Sequence, residues 1–446
     1  MKIVKTTVTK QNQLLIKNKM KMRNYFKSAL LASAFIVGFA SCSNDDEIGG
    51  ADLGDAVSTM VQVAITQSGP ATYATEGAVG AEKKVTSATL YIFDKTKVLE
   101  AIVPLTVSSD VAQSKTFPLT TGMHYFYAAL NAPTGTDFPT TFTKGETTMP
   151  ALQEALVNSK EGKLTAATGF FMTNVEGPVA KNLIVEETPD KNKVTIEVGR
   201  AVAKVNVKFD PTKQIGGKLT EVSYKVANNP INTHFMPVYD SGYLKAPFFA
   251  DPNVDLNKYY TASGDYLTVN QNFVTDKASY AIENSNKIPK KGNSSYVKIR
   301  GKFIPATTLD ANGKNPVTPS VAATFYRIKK TIDNAPIFME EIYRTPPTVE
   351  VLDGGVAVEY INGVCYYGLW IADNTQTNQT AKYTVKRNNF YKVTITSVSG
   401  PGASKEDGDD SVVPPGEKEE ELDAETQIQA TIEILPWNVI DQSGGI

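Results

Sequence analysis

Few side chains in this chain of 446 residues have the spacing that chemistry needs. Ser295-Tyr296-Val297-Lys298 carries the SxxK spacing of a serine nucleophile with a lysine base, yet the partner signatures SDN and KTG are absent. On a strand, residues three apart also point to opposite faces. His124 lies in an apolar aromatic run and His234 near Pro237; neither has a Cys or carboxylate at ligand spacing. The acidic run Glu417–Glu425 lacks the alternating oxygens and turning Gly of a calcium cage. Trp437 reads as an anchor at a strand end rather than a sugar platform. Cys365, in an apolar stretch, reads as a small buried hydrophobe. No Gly-rich phosphate loop, HExxH or GxSxG occurs. Neither catalysis nor a metal or cofactor site is therefore expected.

The elements around these residues make a globular body. Hydrophobic residues are 41% and charged residues 21%, too apolar for disorder, and no apolar run reaches the ~18 residues of a membrane helix. Net charge is −2, unevenly spread. Residues 1–41 hold eight of the 45 basic groups and no acidic one, which leaves 37 basic against 47 acidic groups beyond them. Such an acidic body does not neutralise phosphates, so nucleic acid is excluded as a partner. Two Cys also exclude a disulfide framework.

The remaining thiol, Cys42, has a distinctive setting. Lys21, Arg23 and Lys27 precede the apolar run Ala29–Ala40 and then Ser41-Cys42. Twelve helical residues rise about 18 Å, too short for a bilayer core, which is the pattern of a secretory signal. The small residues before Cys42 resemble a bacterial lipobox, with 1–41 as the signal peptide, Cys42 acylated and 42–56 as a tether. Ser43 and the acidic Asn44–Glu47 resemble an outer-membrane, surface-export address.

Beyond the tether the pattern is of short strands. Val61, Val63 and Ile65 alternate with Met60, Gln62, Ala64 and Thr66, the period of a half-buried strand over 58–66. A polar stretch, 67–84, follows. Strands are expected at 85–93, 123–130, 194–209, 295–303, 321–330 and 390–398, with one short helix over 149–158. Asp353-Gly354 and Asn362-Gly363 predict a meander of strands 348–352, 356–360 and 364–371. Ser399–Glu425 has ten acidic residues, four Gly and three Pro, the composition of a segment too polar to order itself. After it, Ile428, Ala430, Ile432 and Ile434 share one face of a regular strand that ends at Pro436-Trp437-Asn438-Val439. The pattern favours an all-β chain of sandwiches.

Two strands thus frame the chain, each beside a polar stretch. Were the first removed by proteolysis, the groove under Val61, Val63 and Ile65 could accept the last strand of a neighbour, through main-chain bonds and alternate side chains. Repeating that contact gives an open head-to-tail filament. An intramolecular edge strand satisfies the same pattern.

The order of segments resembles the fimbrillins of protease-assisted (type V) pili in Bacteroidales-type bacteria, most closely the minor-fimbrium subunit type. The segments are the lipobox at Cys42, GMHYFYAALNAP (122–133), GFFMTN (169–174), VGRAVAKVNVKF (198–209), NSSYVKIRGKF (293–303), YYGLWIADN (366–374), VKRNNFYKVTITSV (385–398) and IEILPWNV (432–439). The resemblance implies two transthyretin-like β-sandwich domains in tandem, 57–210 and 211–446. It also implies export as an outer-membrane lipoprotein through the lipid on Cys42, and a removable first strand at 58–66. The donor strand would lie in 426–446, with Ile428, Ala430, Ile432, Ile434, Trp437 and Val439 as its inserted residues. Implied partners are further copies of the chain, other fimbrial subunits and a processing protease, in a surface fimbrium that serves adhesion. One departure bears on processing. In the family's best-known members the cut follows an Arg in the loop after the first strand, whereas here the loop reads Ala71-Thr72-Tyr73-Ala74-Thr75-Glu76, and its basic residues are Lys83 and Lys84. Cleavage near Tyr73, Lys83 or Lys84 by another specificity is expected. The alternative is an uncut lipoprotein, either a fimbrial anchor or a monomeric binder of glycan or host protein.

Overall fold

In the computed structural model the described residues are 57–67, 78–135, 138, 141–159, 162–185, 190–247, 249, 272–333, 335–422 and 428–436. Cys42, Tyr73, Trp437 and Val439 lie outside them. Alternating β-branched and aromatic residues form strands in both halves, because such side chains fill one face of a pleated surface while small and polar neighbours face out.

The first half contributes β1 (Ser58–Gln67), β2 (Ala88–Phe93), β3 (Leu99–Leu105), β4 (Lys115–Thr120), β5 (Gly122–Leu130), β6 (Met172–Asn174), β7 (Val179–Leu183) and β8 (Lys193–Arg200). They pair in the order β3-β2-β5-β6-β8-β1-β4, with β7 also on β5. Leu90, Phe93, Phe126, Leu119, Ile196 and Val61, drawn from strands along the whole sheet, meet in one buried cluster.

Only Ala201 separates β8 from β9 (Val202–Gln214), where the chain leaves the first core, although Phe235, Met236, Ile282 and Phe390 of the second half pack back into it. The second half adds β10 (Gly217–Ala227), β11 (Ser279–Ile282), β12 (Tyr296–Pro305), β13 (Phe325–Ile332), β14 (Ala335–Tyr343), β15 (Val356–Tyr360), β16 (Val364–Trp370), β17 (Asn389–Val398) and β18 (Ile428–Pro436). Sheet β11-β9-β17-β18 and sheet β10-β12-β16 share a second cluster, with Val205 and Val393 from one and Val297, Ile299 and Tyr367 from the other. Strands β14-β13-β15 form a third, smaller sheet. The chain is all-β in architecture, as expected.

Three local expectations are corrected. The helix stops at Gln153, and Leu156–Asn158 instead pair as a short strand with Asn232–His234. The meander does not form: Val349–Leu352 is a short helix, β15 pairs with β13, and β16 pairs with β12. The turn residues are nevertheless left-handed, at φ 43° for Asp353 and 52° for Asn362, so the turns exist, but the first joins the short helix to β15 and the second joins two different sheets. Thirdly, 399–422 is not a free linker. Lys225 binds Glu406, Lys298 binds Asp407, Lys329 binds Asp410, and Lys291 binds both Glu417 and Glu420, at 2.6–3.1 Å. Backbone bonds from Tyr366 to Ala403 and from Lys291 to Glu420 complete the strap. Its acidic residues find lysines on neighbouring elements, which composition alone does not reveal.

Candidate strand-exchange site

Strand β1 sits inside its sheet. From Gln62 to Gln67 it runs parallel to β8, and from Ser58 to Val63 antiparallel to β4. The alternation aims Thr59, Val61, Val63 and Ile65 inward. Val61 and Val63 are fully buried, Thr59 is 3% exposed, and Ile65 is partly buried against the same cluster. Removing β1 would leave β4 without its only strand partner among the described residues and open a slot against β8.

One inner position of this slot is polar. The Thr59 hydroxyl donates to the Ile184 carbonyl at 2.7 Å, and the buried Asn192 amide donates to Thr59 Oγ1 at 3.0 Å. Asn192 Nδ2 also lies 3.1 Å from the Met60 carbonyl and 2.8 Å from that of Ile184, while its Oδ1 accepts from the Ile184 N–H. Nothing in the sequence pairs Asn192 with Thr59 across 133 residues, and sequence reasoning missed it.

The far end of β1 is tied to the crossing between the cores. Gln67 Nε2 donates to the Lys83 carbonyl at 3.0 Å, and Gln67 Oε1 accepts from Arg200 Nη2 at 3.3 Å. Arg200 also donates to the Glu82 carbonyl, and its backbone N–H donates to Asn388 Oδ1. Burial lowers the Arg200 guanidinium to about 10, still far above neutral pH, so it stays charged. Glu82, buried at the end of a short turn (Gly80–Glu82), takes Lys204 at 3.0 Å and the Tyr280 hydroxyl at 2.8 Å.

Of the cleavage candidates, Lys83 and Lys84 are exposed but not extended. Their N–H groups donate back into the Gly80–Glu82 turn, and the Lys84 carbonyl accepts from Asn131 at 2.8 Å. Arg200, the first Arg beyond Cys42, is fully buried. Among the described residues no group of His, Cys, Asp or Glu could hold a metal ion.

The terminal strand β18 pairs antiparallel with β17, from Asn389↔Pro436 to Val398↔Ile428, with an irregularity between Ile395 and Ser397. It is the outermost strand of its sheet. Ala430 and Ile432 touch the second core but remain half-buried, beside a groove also lined by Phe338, Tyr367 and Trp370. The side chains of Ile428 and Ile434 lie outside the described residues.

Comparison with known proteins agrees with this architecture. Residues 358–443 match the family model described as major fimbrial subunit protein type IV, fimbrillin, C-terminal. The crystal structure of a fimbrilin (fimA) from Porphyromonas gingivalis W83 is similar at TM-score 0.51 and 14% identity, over 86% of this chain and 99% of that one. A putative cell adhesion protein from Parabacteroides distasonis follows at TM-score 0.48 and 13% identity, over 86% and 100%. No curated protein matches the sequence. These matches concern the family and do not single out the minor-subunit type. Residues 358–443 carry the C-terminal signature of the fimbrillins, and the described chain shares the fimbrillin fold.

Proposed function

We propose that the chain is a structural subunit of a surface fimbria that serves adhesion. It is exported as a lipoprotein through Cys42 and polymerised with further copies and other fimbrial subunits after a protease frees β1. The observation that carries this reading is a difference in burial. The inner residues Val61 and Val63 of β1 are fully enclosed, whereas Ala430 and Ile432 of the equally regular β18 are half-buried on a sheet edge. An apolar strand gains by moving from an edge to a closed slot, at about 25 cal/mol per Å² of apolar surface covered. Once β1 has left, a neighbour's 426–446 segment fills the slot and satisfies the backbone of β4 and β8.

The folded turn disfavours cleavage at Lys83 and Lys84, because proteases nick chain that is free of packing and backbone bonds, and this leaves Tyr73 as the candidate. Buried Arg200 offers an Arg-specific enzyme no substrate. The test is the N-terminal residue of protein sheared from cells, by intact mass and terminal sequencing. A start between Ser68 and Val79 is expected. A chain that still begins at acylated Cys42 overturns polymerisation and leaves the uncut anchor or monomeric binder.

A further inference from the structure

We propose that the Asn192–Ile184 pocket sets the register in which a second copy's terminal strand enters the β1 slot, with Thr426 taking the place of Thr59. The proposal rests on the strand-exchange reading above.

The slot presents one polar and three apolar inner positions in fixed order, occupied by Thr59, Val61, Val63 and Ile65. A strand entering in the direction of β1 must keep its apolar set inward, so only even shifts are open. Three such registers place apolar residues at most of the four inner positions and keep Pro436, which has no N–H to donate, out of them. With Thr426 at Thr59, the inner residues become Thr426, Ile428, Ala430 and Ile432, and Gln429 falls where Gln62 lay. A hydroxyl then faces Asn192 Nδ2 and the Ile184 carbonyl, and aliphatic chains fill the three apolar positions.

Sliding the donor so that Ile428 meets the polar pocket removes the hydroxyl from Asn192 and forces a larger side chain into a site that leaves Thr59 3% exposed. Sliding it the other way puts Ala424 there and buries the Thr426 hydroxyl at the position of Val61, among apolar side chains. The first misfit takes one of its three acceptors from Asn192 Nδ2 and overfills the site, and the second buries a hydroxyl without a partner. The bonds from Gln67 to Arg200 and Lys83 do not choose, because that position holds Ile434, Pro436 or Ile432 in the three registers. The donor carries one hydroxyl at the matching place, and the slot has one pocket built for it.

The register is readable by cross-linking. In β1, Ala64 lies beside Thr195 of β8. Thr195 is exposed, so a Cys there should be tolerated. The proposed register brings Thr431 beside Thr195 of the next subunit, and the two alternatives bring Glu433 or Gln429. Full-length chains carrying T195C with Q429C, T431C or E433C are expressed in fimbriated cells, oxidised, sheared and resolved without reductant. A disulfide ladder from T195C/T431C, about tenfold or more above the other two pairs, is expected. A ladder at 429 or 433 overturns the register and leaves strand exchange standing. If no pair yields a ladder, strand exchange into this slot fails and the register fails with it. T426V tests the peg separately: fimbrial growth about tenfold slower is expected, and unchanged growth with an unchanged ladder overturns the role of the pocket.

Discussion

At the scale of single residues, the pair His124–Glu100 gives the first half a pH response. His124 Nε2 lies 2.7 Å from Glu100 Oε2, while its Nδ1 lies 3.0 Å from the Gly122 carbonyl. Burial pulls the imidazole down, but the Glu100 hydrogen bond, the Gly122 carbonyl and the charges of Glu100 and Asp94 outweigh it and leave His124 above its ordinary value. The His124 bond, outweighing burial, holds Glu100 below the usual carboxylate range. A group raised on folding contributes stability that is fully present below its unfolded value of about 6.5 and is lost as pH rises through the folded value. The Glu100 contribution has the opposite sense and is lost only in acid, below the ordinary carboxylate range. The His124 contribution to unfolding free energy should therefore decline as pH rises from about 6 through neutrality, against the opposite trend of His234, which burial holds below its ordinary value. His124→Gln should flatten that slope and cost about 1–3 kcal/mol at pH 6. Urea titrations at several pH values, compared between the two proteins, check both statements.

At the scale of elements, the strap 399–422 is held mainly from outside its own sequence. Its carboxylates span wide exposures, from Asp410 at 17% to Asp407 at 86%, and exposed pairs contribute about 0–1 kcal/mol each. Raising NaCl from about 0.1 to about 1 M shortens the screening length to about 3 Å. Amide exchange between Ser404 and Glu421 should then speed several-fold while the strands of the second core keep their protection, as hydrogen-exchange mass spectrometry would read. Unchanged exchange would mean that backbone bonds hold the strap unaided. The strap also marks where legibility ended. Strands with strict alternation, such as β1, β17 and β18, were visible because the alternation and the burial have one cause. The strap was not, since its order depends on Lys225, Lys291, Lys298 and Lys329, all more than 70 residues away in sequence. The meander failed for a related reason: Asp353 and Asn362 fix backbone turns, but turn chemistry does not say which strand lies next door. The slot's apolar residues could be read directly, whereas Asn192 could not, because a lone Asn between two lysines carries no pattern.

At the scale of the molecule, the two cores are joined by a buried polar seam at the root of β17. Arg387 binds Glu283 at 2.6 Å and reaches Thr173 in the first sheet as well as the His234 carbonyl, and its neighbour Asn388 accepts from the Arg200 backbone. Both members of the ion pair are shielded, with side-chain exposures of 4% and 0%. In a head-to-tail fimbria, load would enter at the β1 slot of the first core and leave through β18, which hangs on β17. The seam lies on that route, so its cohesion bears on the strength of the fibre as well as on folding. Removing one buried partner strands the other charge, and Arg387→Met should cost about 3–5 kcal/mol. Replacing both, as Arg387→Met with Glu283→Leu, should recover much of that loss, because no uncompensated charge remains. Denaturant unfolding of the three proteins gives the coupling energy. Sheared fibre lengths then separate two roles: a double variant that regains stability yet still breaks short would show that the seam's directional bonds carry load, whereas restored length would mean that packing alone suffices.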